Sequence, residues 1–509
     1  MLQLLKTISV PERLYIENSY MSVQVERKPI IFSPDSKRVL ARFFQLSEER
    51  SIKIIKRITG LSRTRQNELL NQILRGFSKR HRSVVSILEK NFKRVSPLLK
   101  KIELDDHEIT YKERLIIGAY FTMEYSIEAA AFFNPSIIED PDQSQLRDGE
   151  KRIILSFRAT GEGHVSSIVF RSGIIDKNLD IQLDEVGRLL EKPKQIKNHQ
   201  YEKTDFIAKL SALHAPEEEM LTIIEDKLSE TFTYEELRKY VKEIKEEHTL
   251  SLDSDTLTNQ MQWLASSHYE MTYSLDTAIS ERVIFPIAET EIRGIEDARF
   301  VKFEDEKGKI TYYATYTAYD GFSILPKLLS TKDFIHFKVQ PINGKIANKG
   351  AALFPRKING KYAMLCRVDG ENNYISFSDS ITNWHEEIIL FSEPEEPWEF
   401  IQLGNCGSPI ETEKGWLVIT HSVGPMRMYT VGATLLDLKD PTKVIGRLKD
   451  PILSPNSIER EGYVPNVVYS CGQMVHNGHL IIPYAMSDYA STYATVNLEE
   501  LLNALSNSV

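Results

Sequence analysis

Five stretches of the chain share one pattern of hydrophobic and polar positions. Each contains an apolar strand-like run, a polar turn that carries glycine, and a second strand-like run that ends in polar or charged residues. This pattern predicts β-hairpins. The turn glycines are spaced by 159, 52, 55 and 63 residues, and they are Gly149, Gly308, Gly360, Gly415 and Gly478. Intervals of about 50 to 60 residues suit the blades of a β-propeller, so we expect five blades.

Two other stretches have apolar residues at helical spacing. Between about 36 and 99 the spacing of three or four is shown by Val39, Phe43 and Leu46, and then by Leu69, Ile73 and Phe77. A second stretch, about 176–266, falls within the long first interval, and Thr233 to Glu236 matches a capping box there. We therefore predict a mainly β protein: a helical N-terminal region over 1–115, then a five-bladed β-propeller over 116–509 with a helical insertion at about 176–266.

The two helical stretches have opposite charge. Residues 51–100 hold thirteen Lys or Arg against two acidic residues, whereas residues 217–247 hold eleven acidic and five basic residues. Solvated helix faces account for such biases in many proteins. The opposite signs also suggest that the two parts associate, within one chain or between subunits. We hypothesise that they form a cap over the propeller or the interface of a homo-oligomer.

Composition narrows the class of protein. A length of 509 residues with 41% hydrophobic residues indicates a globular chain too long for one ordinary core. The net charge of −9 argues against nucleic-acid binding, which needs a basic face. No apolar run reaches the roughly 18 residues of a membrane span, so no membrane partner is expected. The cysteines are odd in number and far apart, which fits a reducing compartment, and we expect a cytoplasmic protein; they are Cys366, Cys406 and Cys471.

Polar residues that end corresponding strands of a propeller can meet in its central channel. This recurrence makes them candidates for one site, although each alone would more often be a surface residue. The convergent positions are Arg158, the Glu296-Asp297 pair, Tyr319-Asp320, Lys349, Arg367, His421 and Asp488. Trp416 and Tyr319 have aromatic faces suited to sugar stacking, with core packing the stronger interpretation for Trp416. His476 and His479 flank one turn without a third ligand nearby, so no metal site is predicted.

Several motifs at these positions resemble one enzyme family. They include GIEDARF (294–300), YTAYDG (316–321), KGAALFPRKINGKYAML (349–365), GSPIETEKGWLVITH (407–421) and GYVPNVVYSCG (462–472). With the Asn134-Pro135-Ser136 segment and YAMSD (484–488), they touch every predicted blade. The chain resembles glycoside hydrolase family 130, the mannoside phosphorylases and their hydrolytic relatives.

This resemblance implies inverting phosphorolysis of a β-mannoside. Asp297 would be the general acid, delivering its proton through the 3-hydroxyl of the bound mannose, and inorganic phosphate would attack the anomeric carbon directly. The products would be α-mannose 1-phosphate and a shortened acceptor. Phosphate would be the co-substrate and no cofactor is implied. The positions that match the family's phosphate-binding residues are Lys349, Arg367 and His421. Cations of this kind suit a tetrahedral dianion.

Substrate contacts follow from the same matching. The positions resembling those that hold the mannose are Asn134, Ser136, Arg158, Tyr319, Asp320 and Asp488. The chain departs from the family pattern in three places, where Gly350 replaces Asp, Cys366 replaces His, and Ser422 replaces Gly. These departures affect substrate detail more than chemistry. The linkage and the acceptor sugar therefore stay open.

Two alternatives remain at this point. One is a β-1,2-mannosidase of the same family, in which a carboxylate activates water; Glu162, Glu411 or Glu461 could serve if one of them entered the channel. The other is a non-catalytic sugar-binding propeller. The presence of Lys349, Arg367 and His421 favours the phosphorylase over the hydrolase. An intact Asp297 together with these intact basic positions argues against a retired enzyme.

Overall fold

The computed structural model describes residues 23–196, 200–213, 218–247 and 252–507. Its first part is mainly helical, and its elements are β1 (Val25–Arg27), β2 (Val39–Phe43), α1 (Glu48–Thr59), α2 (Arg63–Phe77), α3 (Val84–Val95), α4 (Tyr111–Tyr120) and β3 (Thr122–Ser126). In the described part of the chain, no helix is both long and apolar enough to cross a bilayer.

The remainder is mainly β with one helical segment. Up to that segment and through it, the elements are β4 (Ala131–Glu139), β5 (Lys151–Thr160), β6 (Ser166–Ile175), β7 (Ile181–Leu183), β8 (Lys194–Ile196), β9 (Gln200–Glu202), α5 (Lys203–Leu213), α6 (Glu218–Lys227), β10 (Thr231–Thr233), α7 (Tyr234–Glu247) and α8 (Leu252–Ser266). The capping box is confirmed, because Thr233 N donates to Glu236 Oε2 at 2.7 Å and Glu236 N donates to Thr233 Oγ1 at 3.3 Å.

The elements after the helical segment are almost all strands. They are β11 (Tyr269–Thr272), β12 (Val283–Ile284), β13 (Gly294–Glu304), β14 (Ile310–Tyr319), β15 (Ile324–Thr331), β16 (His336–Pro341), β17 (Asn343–Gly344), β18 (Ala352–Leu353), β19 (Tyr362–Cys366), β20 (Asn373–Ser378), β21 (Asn383–Trp384), β22 (Ile388–Ser392), β23 (Gln402–Asn405), β24 (Ile410–Thr412), β25 (Gly415–Val423), β26 (Tyr429–Leu436), β27 (Val444–Arg447), β28 (Val468–Tyr469), β29 (Met474–His476), β30 (His479–Met486), β31 (Ala490–Asn497) and the helix α9 (Leu498–Ser506).

These strands form five antiparallel groups in chain order. Group one is β4-β5-β6-β7 and group two is β13-β14-β15-β16; a single parallel residue pair between β6 and β13 joins them into one sheet. Group three is β18-β19-β20-β22, and group four is β23-β25-β26-β27 with β24 beside β25. Group five contains β28, β29, β30 and β31. The molecule is therefore mainly β with a helical N-terminal region.

The five predicted hairpins are confirmed. They are the antiparallel pairs β4-β5, β13-β14, β18-β19, β24-β25 and β29-β30. All five turn glycines have positive φ, between 71° and 153°, a region that residues with a Cβ rarely enter. The turn chemistry therefore identified these hairpins correctly.

The helical interpretation was wrong for two short segments. Val39 and Phe43 lie in strand β2, which pairs with β3, and the stretch before α5 contains the short strands β7, β8 and β9. Residues four apart share a face in a strand as well as in a helix, so this spacing cannot separate the two over one turn. Leu69, Ile73 and Phe77 do lie on a helix, α2.

Each helical part has its own apolar core. Helices α1 to α4 pack around Ile55, Phe92 and Ile116, whereas the helical insertion packs around Leu210, Leu237 and Met261. Some cations of the first part form ion pairs, either with its own glutamates, as Arg65 does with Glu68, or with Asp276 and Glu281 near β12, as Arg82 does. The proposed interface between subunits stays a prediction, as do the domain boundaries.

The N-terminal region also supplies a strand to the last sheet. Strand β1 pairs antiparallel with β31, with Val25 opposite Val496 and Arg27 opposite Ala494. Gln24 N donates to Glu500 Oε1 at 3.0 Å, which ties the same segment to helix α9. The first described strand and the last strand of the chain therefore belong to group five.

A buried charge cluster fastens the N-terminal region to group one. Glu128, with no exposed surface, accepts from Arg38 Nε at 2.7 Å and from Arg171 Nη2 at 2.9 Å. Arg38 also donates to the carbonyl oxygens of Gly187 and Ser280. Such a cluster is stable only while every charge has its partner.

We expect Glu128→Ala to lower the free energy of unfolding by about 3–5 kcal/mol, because two buried guanidinium groups lose their counter-charge. Urea unfolding measures this change. The control is Glu386→Ala, which breaks an exposed pair with Lys361 and should cost at most about 1 kcal/mol. Equal losses in the two variants would contradict the prediction.

Candidate active site

A cavity of about 270 Å³ receives side chains from all five strand groups. Its lining consists of Asn134, Arg158, Glu296, Asp297, Arg299, Lys349, Gly350, Arg367, Gln402, His421, Arg427, Tyr429, Val464, Val467, Tyr469 and Asp488. Almost all of these side chains are polar or charged, so the cavity suits a hydroxyl-rich or anionic ligand.

Local backbone distortions aim three of the polar side chains into this cavity. Asp297 has φ of 55° and lies where the β13-β14 register shifts, and Asn134 has φ of 50° at a similar shift in β4-β5. Asp488, in the turn after β30, has φ of 54°. A bulge redirects a side chain that the regular pleat would point elsewhere, and left-handed backbone is strained for residues other than glycine. Three such residues around one cavity indicate a functional site.

Asp297 is surrounded by donors. Its Oδ1 accepts from Asn134 Nδ2 at 2.6 Å and lies 3.5 Å from Arg158 Nη1. Burial is the largest single effect on this carboxyl and would raise its pKa, but Arg158, Arg299, Lys349 and the hydrogen bond from Asn134 together lower it by more. The pKa of Asp297 is therefore lowered below its usual range, and the carboxylate is ionised.

Glu296 holds two of the cations in place. Its Oε1 lies 2.8 Å from Arg158 Nη2, and its Oε2 lies 2.6 Å from Lys349 Nζ. The neighbouring Arg299 donates to the backbone oxygen of Asp297 at 3.2 Å and to Tyr469 Oη at 2.7 Å. The carboxylate of Glu296 thus bridges groups one and three.

His421 is neutral and almost fully buried. Its Nδ1 lies 3.0 Å from the carbonyl oxygen of Asn405, which only accepts, so Nδ1 carries the proton. Nε2 is then an acceptor, 3.2 Å from Gln402 Nε2 and 3.5 Å from Arg367 Nη1. Burial and the charges of Arg367 and Arg299 hold the pKa of His421 well below 6.5. The sequence had suggested a cation at this position.

The lining carries a surplus of positive charge. It contains five cationic side chains and three carboxylates, and the cations are Arg158, Arg299, Lys349, Arg367 and Arg427. Among the described residues, no carboxylate forms an ion pair with Arg367 or Arg427. The cavity therefore has about two positive charges in excess, which suits a dianion.

The structure brings together seven of the ten site residues predicted from the sequence. These are Asn134, Arg158, Asp297, Lys349, Arg367, His421 and Asp488. Three others lie outside the lining of the cavity. Ser136 is buried and accepts from Phe300 N at 3.3 Å, Tyr319 donates to Gly321 O at 3.0 Å, and Asp320 accepts from the turn amides of Phe322 and Ser323. Their side chains are engaged in packing or turn formation.

Other residues of interest also fall outside the cavity. Trp416 is fully buried against Phe354, which confirms core packing. Glu411 pairs with Arg356, at 2.6 Å, and Glu162 and Glu461 are exposed. None of these three glutamates is part of the lining.

Sequence reasoning missed several lining residues. Arg299 lies inside the GIEDARF motif but was not assigned a role there. It is two residues after Asp297, the spacing of side chains on one face of a strand, and this spacing could have indicated a role. Gln402, Arg427 and Tyr429 carry no motif signal. Arg427 reaches the cavity because Met426 and Arg427 both have positive φ in the β25-β26 turn, which sequence alone does not reveal.

A family model described as β-1,4-mannooligosaccharide phosphorylase, from glycoside hydrolase family 130, matches residues 233–507, more than half of the chain. The chain belongs to glycoside hydrolase family 130. The matched range includes Asp297 and every cation of the lining except Arg158.

Two relatives and one solved structure are similar to this chain. A 1,2-β-oligomannan phosphorylase of Thermoanaerobacter sp. (strain X514) is 38% identical over 219 residues, 42% of this chain and 71% of that protein. A β-1,2-mannobiose phosphorylase of Listeria innocua is 32% identical over 228 residues, 44% of this chain and 63% of the relative. The structure of the Listeria innocua enzyme with β-1,2-mannobiose covers 74% of this chain and 93% of that one, with 24% identity and a TM-score of 0.44.

Asp488 differs from Asp297 in its electrostatic setting within this family 130 site. Burial, reinforced by the negative charge of Asp297, raises the pKa of Asp488 to about 6. The folded protein therefore holds this proton more tightly than the unfolded chain does. Ionisation of Asp488 destabilises the fold progressively as the pH rises through 6.

We expect Asp488→Asn to raise the free energy of unfolding at pH 7.5 by roughly 1–2 kcal/mol, since asparagine tolerates positive φ and removes the unfavourable charge. The gain should shrink toward pH 4, where the carboxyl is protonated in the folded state and half protonated in the unfolded one. Melting temperatures at the two pH values measure it, with Asp320→Asn as the control outside the cavity. A gain that does not change with pH would contradict this account.

Proposed function

We propose that this chain is an inverting β-mannoside phosphorylase, and that its five strand groups are the blades of a five-bladed propeller around the cavity. The observation that carries the proposal is the excess of about two positive charges beside Asp297. The identities to mannoside phosphorylases support a β-mannoside as the sugar substrate.

Phosphate would bind where the surplus cations meet. Arg367, which has no carboxylate partner among the described residues, offers a planar fork, and Lys349 offers a compact charge. A phosphate dianion would balance the local charge and needs no base to become a nucleophile. His421 Nε2 would present an acceptor to a protonated phosphate oxygen.

Binding of phosphate would also prepare the acid. Before phosphate binds, Arg158 and Arg299 help to keep Asp297 ionised, and an ionised carboxylate cannot donate a proton. A dianion beside these cations offsets their effect and raises the pKa of Asp297. Protonated Asp297 can then deliver its proton to the glycosidic oxygen, through the 3-hydroxyl of mannose as the family resemblance implies. The acid would thus form only when the nucleophile is present.

The sugar would be held by polar groups of the lining near Asp297. Asn134, Arg158 and Asp488 provide donors and acceptors for mannose hydroxyls. Asn134 donates a hydrogen bond to Asp297, so a sugar that also contacts Asn134 would be held in a fixed position relative to the acid. Relatives act on β-1,2 and β-1,4 linkages, and the assay below separates these.

We expect turnover of β-1,2-, β-1,3- or β-1,4-mannobiose to require inorganic phosphate and to release α-mannose 1-phosphate, which NMR of the anomeric proton identifies. Arg367→Gln should raise the KM for phosphate by at least about tenfold and the KM for the mannoside much less. Arg356→Gln, which alters the surface pair with Glu411, is the matched control.

Release of free mannose at full rate without phosphate would instead identify a β-mannosidase. In that case a lining carboxylate would have to activate water.

We expect Asp297→Asn to lower the rate by about 10²–10⁴-fold, because asparagine keeps the shape and tolerates the positive φ but cannot act as a general acid. Asp320→Asn makes the same change at a position outside the cavity and should leave the rate within about twofold. Steady-state kinetics with an unactivated mannoside checks both. Near-normal activity of the Asp297 variant would rule out its role as the acid.

A further inference from the structure

A second group of cations lies away from the cavity, where the N-terminal region meets group one. Arg42, in β2, places its guanidinium carbon 4.8 Å from the Tyr125 ring centre and 5.0 Å from the Phe285 ring centre. Lys192 Nζ lies 5.4 Å from the same Phe285 ring and donates to Ala41 O at 2.9 Å. Two positive charges therefore share one aromatic ring.

Helix α3 adds two more positive charges. Arg94 stacks on Phe43, with 3.9 Å between the guanidinium carbon and the ring centre. Lys90 lies one helical turn earlier, and like charges at this spacing repel each other. Partial desolvation, together with Arg42, Lys90 and Arg94, lowers the pKa of Lys192 to about 8. The other three cations are thus close enough to act on Lys192, and we call these four residues the cationic cluster.

Nearby acids are engaged elsewhere. Glu124, on the neighbouring strand β3, pairs with Arg80 and His81, at 2.7 and 2.8 Å. Glu191, next to Lys192, accepts from Ser274 Oγ at 2.6 Å. Across the residues that the structure describes, no ion pair involves any of the four cations. A third acid, Glu162, acts on Tyr125, the ring under Arg42, but it forms no ion pair with the cationic cluster.

We propose that the cationic cluster, Arg42, Lys90, Arg94 and Lys192, binds the phosphate group of a small anion, either inorganic phosphate or a phosphate monoester. Two guanidinium forks and two ammonium groups can donate to several oxygens of one tetrahedral dianion. The aromatic rings fix the guanidinium groups from behind, which reduces the entropy lost on binding.

This site is distinct from the active-site cavity, because none of the four cations lines it. The two are separated by the β5-β6 turn: Tyr125, beneath Arg42, donates to Val165 O in that turn at 2.9 Å, while Arg158 at the end of β5 faces the cavity. A small ligand is favoured over nucleic acid, since the cationic cluster is local in a chain of net charge −9 and its rings lie under the cations.

The test isolates the second site by disabling the first. In a Lys349→Gln/Arg367→Gln protein, titration calorimetry with inorganic phosphate, and separately with glucose 6-phosphate, should show about one binding site. The two probes separate the free anion from a monoester. Adding Lys90→Gln, Arg94→Gln and Lys192→Gln should weaken binding at least about tenfold. The matched control adds Lys79→Gln, Lys93→Gln and Lys100→Gln, three exposed residues of the same region, and should leave the affinity within twofold.

Absence of saturable binding of both probes at millimolar concentrations, or equal affinity of the two triple variants, would overturn the proposal. A fall in molecular mass caused only by the cluster substitutions would also overturn it, because the acidic helices of a second copy would then be the occupant. The wild-type protein provides an independent measurement: it should bind two phosphates, and the cluster substitutions alone should reduce this to one. If instead the proposed catalytic function is wrong, the wild-type protein should lack phosphate binding at Lys349 and Arg367 and keep it at the cationic cluster.

Discussion

The arrangement of the cavity depends on the two ion pairs that the carboxylate of Glu296 forms. It holds Arg158 on one side and Lys349 on the other, at 2.8 and 2.6 Å, and these cations come from different strand groups. Without this bridge the two charges would repel each other across a partly desolvated space and could turn toward Asp297. Because Glu296 is already paired, Arg367 and Arg427 keep their charge available for a ligand. The charges of Arg367 and Arg427 therefore have no carboxylate partner among the described residues, because Glu296 pairs with Arg158 and Lys349 instead.

The backbone of the site is strained at the positions that carry its chemistry. Asn134, Asp297 and Asp488 all have φ near 50°, and each is a short polar residue, the type that tolerates this region best. Regular hairpins on both sides hold each of them in place. Strain at these points is maintained by the packing of the groups, and the raised pKa of Asp488 adds an electrostatic cost in the same place. The geometry of the site therefore costs the fold some stability, as is common where function selects geometry.

The sequence allowed the scaffold and most of the site to be predicted, for physical reasons that can be traced. Glycine at a positive-φ turn is a local requirement, so the hairpins around Gly308 and Gly360 could be read directly. Tyr319 and Asp320 lie at the end of a strand, at the repeat position that corresponds to Arg158. Their side chains form hydrogen bonds within a tight turn and do not line the cavity. The neutral state of His421 depends on the Asn405 carbonyl and on burial. Both are features of the tertiary structure that the sequence alone does not reveal. Segment β2 was misread because four residues return to the same face in both a helix and a strand.

The pairing of β1 with β31 has a consequence for biosynthesis. A ribosome makes residues 25–27 long before their partners 494–496, so group five cannot be completed until the strands of the other four groups have been synthesised. Contacts of such large sequence separation form slowly. In the meantime β1 would present unpaired amide and carbonyl groups, which other strands can capture. The short length of this strand, three residues with two of them charged, limits that hazard while the chain is incomplete.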